Sequence, residues 1–138
     1  MENKADFKGR VGEKAGPYEE RISADHLEKF CQAIGSVNRG EASPTFLTTF
    51  RRGEFDLFGK LGLNLSKVLH AEQEYRYEGK IITGDLVSYE TELVQALRKS
   101  GASGAMHFLI FETGFKVTRG GTDVGQVASA RTTIIART

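Results

Sequence analysis

Leu27, Phe30, Cys31 and Ile34 recur at i, i+3, i+4 and i+7, the spacing that sets four apolar side chains on one face of a helix. Ser23 stands just ahead as an N-cap, because its hydroxyl accepts a bond from an orphan N–H of the first turn. Asp25 puts an anion at the positive end of the helix dipole, and Gly35 supplies a stop. The pattern predicts a helix over 24–34, with a short strand over 18–22 before it. Residues 35–43 have no apolar period and read as a loop. Pro44–Phe50 is apolar and is expected to begin extended. Phe50, Phe55, Leu57, Phe58 and Leu61 then predict a second, buried helix, whose end Gly59 and Gly62 leave open.

From Val68 the period changes to two. Leu69, Ala71, Tyr75 and Tyr77 alternate with His70, Glu72, Glu74 and Arg76, as expected of a strand with one face in and one face out. The same alternation marks strands over 86–98, 107–117 and 124–136. Between them lie a turn segment over 79–85, a loop of small residues over 99–104 and a tight turn at Arg119–Thr122, where Gly-Gly is a hairpin signal. A short strand, two helices and then four long antiparallel strands separate into a helix layer and a sheet layer, an α+β arrangement.

With 138 residues the chain fits one domain, read as a flexible N-terminus over 1–11 and a single domain over 12–138. Lys+Arg 19 against Asp+Glu 18 leaves no basic excess to hold a phosphate backbone, so nucleic acid is not an expected partner. No run is long and apolar enough for a membrane span, and the first ten residues hold no signal-peptide core, so no membrane contact and a cytoplasmic location are expected. The one cysteine, Cys31, cannot form an internal disulfide. The three histidines have no spacing that points to a zinc site.

Several segments, in order, resemble the N-terminal type of MaoC-like dehydratase domain. They are Gly16-Pro-Tyr18, Phe30-Cys-Gln-Ala-Ile-Gly35, Pro44-Thr-Phe46, Leu69-His-Ala-Glu-Gln-Glu-Tyr75 and Gly84-Asp85. The resemblance covers roughly 12–137. It implies a hotdog fold, a curved antiparallel sheet wrapped around a central helix. It also implies reversible loss of water from a 3-hydroxyacyl thioester carried on coenzyme A or acyl carrier protein, with no metal or redox cofactor. Active members of that family build their site between two hotdog units, so the expected assembly is a homodimer or a heterodimer with a catalytic MaoC-like subunit.

That reaction needs a positioned base and acid, and a donor for the developing oxyanion. In active members an aspartate, an asparagine-proline and a histidine follow the first helix's glycine. Here the stretch is Gly35-Ser-Val-Asn-Arg39: Ser36 stands at the aspartate, Arg39 at the proline, and no histidine lies between His26 and His70. The resemblance therefore implies a subunit lacking the Asp/His pair, of the kind that shapes the acyl tunnel beside a catalytic partner. By family position Asn38, Pro44, Thr45, Phe46, Thr48 and Thr49 are the expected substrate-binding residues, although for Asn38 a loop-holding role is the favoured reading, since asparagine commonly bonds its own backbone in loops. A regular strand would bring His70 and Glu72 to one face as a candidate base and acid. The competing reading is an outward face carrying them in water. Two other functions fit the pattern: a non-enzymatic homodimeric acyl-binding protein, and an acyl-CoA thioesterase using a carboxylate such as Glu54 or Asp56 near the central helix.

Overall fold

The structure, a computed structural model, describes residues 7–137. Its elements run β1 (Lys14–Arg21), α1 (Ala24–Ile34), a 3-10 turn (Phe46–Thr49), α2 (Arg52–Lys60), β2 (Val68–Tyr77), β3 (Leu86–Gly101), β4 (Gly104–Arg119) and β5 (Thr122–Arg137). The five strands form one antiparallel sheet in the order β1-β3-β4-β5-β2. The three C-terminal strands make the centre by successive hairpins, and the two earlier strands hold the edges.

The period-two pattern decides which side of the sheet is covered. On β4 His107, Leu109, Phe111, Thr113, Phe115 and Val117 are buried, while the residues between them face outward. Both helices lie on the buried side. Leu27 of α1, Phe46 of the 3-10 turn and Phe50 just after it share one core cluster with Tyr89 and Phe115 of the sheet; Leu57 and Phe58 of α2 share a second with Leu93, Phe111 and Ile134. Each fully buried Phe or Leu contributes about 1.5–3 kcal/mol. Close approach of α2 depends on Gly53, where a Cβ would stand 2.3 Å from Thr91 Oγ1. This is the expected α+β hotdog arrangement.

α1 spans the expected residues. Ser23 Oγ accepts from the His26 N–H at 3.0 Å, and Gly35 ends the helix in the left-handed region at φ 70°. Pro44–Phe50 departs from expectation: instead of extending, it turns. The Thr48 and Thr49 hydroxyls donate back to the carbonyls of Thr45 and Phe46 at 2.8 and 2.9 Å, local bonds that replace a strand ladder. The expected loop over 99–104 shrinks to a two-residue hairpin at Ala102–Ser103, because Gly104 takes the positive φ the turn requires. Of the segment expected to be flexible, residues 1–6 lie outside the described residues. Phe7–Arg10 form a 3-10 turn, with the Phe7 ring edge-on to His107 at 5.0 Å and the Gly12 N–H donating to Leu93 O at 2.8 Å.

Candidate functional site

The loop after α1 is held at both ends. Asn38 Nδ2 donates to Glu28 Oε1 at 3.0 Å, and Asn38 Oδ1 accepts from the Gly40 N–H at 2.8 Å, so both ends of its amide are engaged in fixing the loop. Farther along, the Thr83 N–H donates to Gly40 O and the Ala42 N–H to Ile81 O, fastening the loop to the turn before β3. Ser36, Val37 and Arg39 are exposed on its outer side. The loop thus presents a serine hydroxyl, an isopropyl group and a guanidinium, and a serine without an adjacent base is a poor proton acceptor.

Pro44 and Thr45 are exposed, and Pro44 O accepts from the Tyr77 hydroxyl at 2.8 Å, tying this turn to the end of β2. Burial pushes that phenol's pKa up to about 12. Phe46 is fully buried, edge-on to both Phe30 and Phe50. Thr48 and Thr49 are exposed, their hydroxyl protons committed to their own turn.

His70 and Glu72 do not share a face. A bulge between them breaks the register: His70 pairs with Ile134, which is buried on the helix side, and Glu72 pairs with Thr133 on the outer side. Directly opposed residues of an antiparallel pair point to the same side, so the two side chains diverge. The expected common face rested on a regular strand, and the extra residue, Ala71, removes it.

What the fold gathers instead is a polar chain between α2 and β2. Glu54, in the first turn of α2, is only 3% exposed. Arg51 Nε and Nη2 donate to its Oε1 at 2.9 and 2.6 Å. Thr132 Oγ1, on the inner face of β5, lies 2.7 Å from Glu54 Oε2 and 2.9 Å from Gln73 Oε1. Its single proton serves one of them at a time. Gln73 Oε1 in turn lies 3.0 Å from Nε2 of His70, which is exposed near the start of edge strand β2. Burial, and then the charge of Glu54, raises the pKa of nearby Tyr75. Glu54 has both oxygens engaged, which suits a group that orients its neighbours. Thr132 and Gln73 escaped the sequence reading. Thr132 carried a signal, since it is the one hydroxyl in an inner row otherwise made of Ala128, Ala130, Ile134 and Ala136.

The Gly84-Asp85 turn has its own anchor. Burial raises the pKa of the fully buried Asp85 carboxyl, but hydrogen bonds from Arg119 and the Ile82 N–H outweigh that and hold it below the ordinary value. Polar hollows open on the outer side of the sheet, one of about 470 Å³ bordered by Glu90, Glu92, Glu112 and Lys116.

Comparison with known proteins agrees with this architecture. The HadBC (3R)-hydroxyacyl-ACP dehydratase complex of Mycobacterium tuberculosis contains a chain that superposes with a TM-score of 0.74 at 14% identity, over 97% of this chain and 100% of that one. A MaoC-like dehydratase gives 0.75 at 16% identity, over 96% of this chain and 44% of that one. A chain of the ChsH1-ChsH2 complex of Mycobacterium tuberculosis gives 0.64 at 17%, over 90% and 84%. No curated protein matches in sequence. The family model described as "FAS1-like, dehydratase domain region" matches residues 10–124. A match over that much of the chain, on a sheet that wraps a central helix, makes this protein a member of the FAS1-like dehydratase-region family, with the MaoC-like hotdog fold.

Proposed function

We propose that this chain is the acyl-binding, non-catalytic subunit of a two-subunit 3-hydroxyacyl-thioester dehydratase, an N-terminal-type MaoC-like unit working in the cytoplasm. The observation that carries the proposal is the loop after α1. It is well fastened, yet it offers Ser36 where the chemistry calls for an acid and Arg39 where active members carry a proline, and it contains no histidine. Removing a proton beside the thioester carbonyl while protonating the departing hydroxyl needs two proton-transfer groups, and the partner subunit supplies both.

In this reading the chain contributes a wall of the acyl slot. Edge strand β2 and the turn at Pro44–Thr49 face the partner, and the polar chain from Glu54 to His70 lies on the same side. Thr45, Thr48 and Thr49 are exposed in that turn, while Phe46 supports it from the core. Pairing is supported by physical need, since an unpaired edge strand invites a partner. It is also supported by the two-component composition of the HadBC and ChsH1-ChsH2 relatives. Hydrolysis is the weaker alternative, because the buried carboxylate of Glu54 is already bound by Arg51 and Thr132.

The test is co-expression with a catalytic MaoC-like subunit. Co-purification with that subunit, and hydration of an enoyl thioester that requires both chains, is the expected result. Release of free thiol from acyl-coenzyme A by the lone chain would overturn the proposal in favour of a thioesterase. Tight retention of acyl thioester with no turnover in any pairing would instead favour a non-enzymatic homodimeric acyl-binding protein.

A further inference from the structure

On the outer face of the sheet, strand register lines side chains up in rows running across the strands. Leu97, Phe108, Ile135 and Leu69 are successive partners from β3 through β4 and β5 to β2, so they make one apolar row. With strands about 4.8 Å apart the row is about 14 Å long. Leu69 is 58% exposed and Leu97 43%, a contiguous apolar strip of the kind that marks a contact surface.

The rows to either side differ in charge. Toward the β3–β4 hairpin lie Lys99, Met106 and Arg137, again register partners. Lys99 Nζ sits 5.0 Å from the centre of the Phe108 ring, and Lys67 shares a hollow of about 300 Å³ with Leu69 and Arg137. In the other direction lie Ile110, Thr133 and Glu72, followed by a row that includes Glu92 and Glu112.

We propose that this strip is a contact between two copies of the chain, packed outer face to outer face about a two-fold axis running along the apolar row. The proposal stands apart from the dehydratase reading. Such an axis lays each of the four apolar side chains on its own copy. It also exchanges the flanking rows, so Met106 falls opposite Ile110 of the second copy and Lys67 opposite its Glu72. Face-to-face sheets pack about 10 Å apart with interdigitated side chains, which these residues can fill. The flanking charges select this occupant. An acidic helix on the row would set one flank over Lys99 and Arg137 but the other over Glu72. An anionic bilayer would meet Glu92 and Glu112 on the same face.

Sedimentation of the full chain over a range of concentrations tests this. The mass of the wild-type assembly is expected to halve in Leu97→Asp, whether or not the chains also join through their edges. Leu97 is exposed in the single chain, so the variant should keep the wild type's far-UV circular dichroism spectrum, while its melt loses only the part that depends on protein concentration. Glu72→Lys alone is expected to weaken association, and Lys67→Glu combined with Glu72→Lys to restore it, a rescue that a general loss of folding would not give. Equal masses for the wild type and Leu97→Asp would overturn the proposal. So would binding of anionic vesicles by a wild-type chain whose mass matches that of Leu97→Asp.

Discussion

Thr132 Oγ1 on β5 and Glu54 Oε2 on α2 lie 2.7 Å apart, joining a buried carboxylate on the helix to the inner face of the sheet. Thr132→Val keeps the shape and removes the hydroxyl, leaving Glu54 Oε2 without that donor. The expected loss is about 1–3 kcal/mol of unfolding free energy in urea titration. Thr132→Ser should recover most of it, since it restores the same hydroxyl.

Gly53→Ala sets two effects against each other. Alanine is favoured over glycine inside a helix by about 1 kcal/mol. At this position its Cβ would meet Thr91 Oγ1 at 2.3 Å and Thr91 Cβ at 2.8 Å. The Thr91 hydroxyl is already bonded to that of Thr113 at 2.8 Å, so it cannot turn away without cost. Overpacking of this kind costs about 1–3 kcal/mol and should prevail. A lower melting temperature for Gly53→Ala is the expected outcome.

Asp85 should make stability depend on acid. Its carboxyl is held below the ordinary value in the folded chain, so its contribution is fully present above about pH 4, the unfolded carboxyl range. The contribution fades as pH falls through the folded value. Arg119→Ala leaves the carboxylate, which has no exposed surface, with the Ile82 N–H alone. A loss of about 1–3 kcal/mol is expected at neutral pH. Measured by urea titration at a series of pH values, the gap between wild type and Arg119→Ala should narrow below pH 4.

Asn38 should prove a loop-holding residue. Asn38→Ala removes the bonds to Glu28 and to the Gly40 N–H, both at the surface where water can replace them, and is expected to cost about 0.5–1.5 kcal/mol in a urea melt. Asn38→Asp keeps the acceptor for Gly40 but faces Glu28 with a like charge, so it should recover only part of the loss.

The elements were legible where one local rule dominated. α1 announced itself through Ser23, the apolar face and Gly35, and β4 through strict alternation from His107 to Val117. Pro44–Phe50 misled because its threonines satisfy their own turn, a hydrogen-bonding choice that apolar content does not reveal. The site was less legible for a geometric reason. A single inserted residue, Ala71, sends His70 and Glu72 to opposite faces, and no periodicity over so few residues detects it. The chain from Glu54 through Thr132 and Gln73 to His70 joins three elements, so its members become neighbours only once α2 is laid on the sheet.

The most direct measurement is hydration of a short enoyl-coenzyme A thioester by the purified chain with no partner present. On the proposed alignment of Ser36 with the acid of active members, and with no histidine between Gly35 and Ser43, a rate no higher than the protein-free background is expected. Steady hydration by the lone chain, scaling with its concentration, would contradict a non-catalytic role.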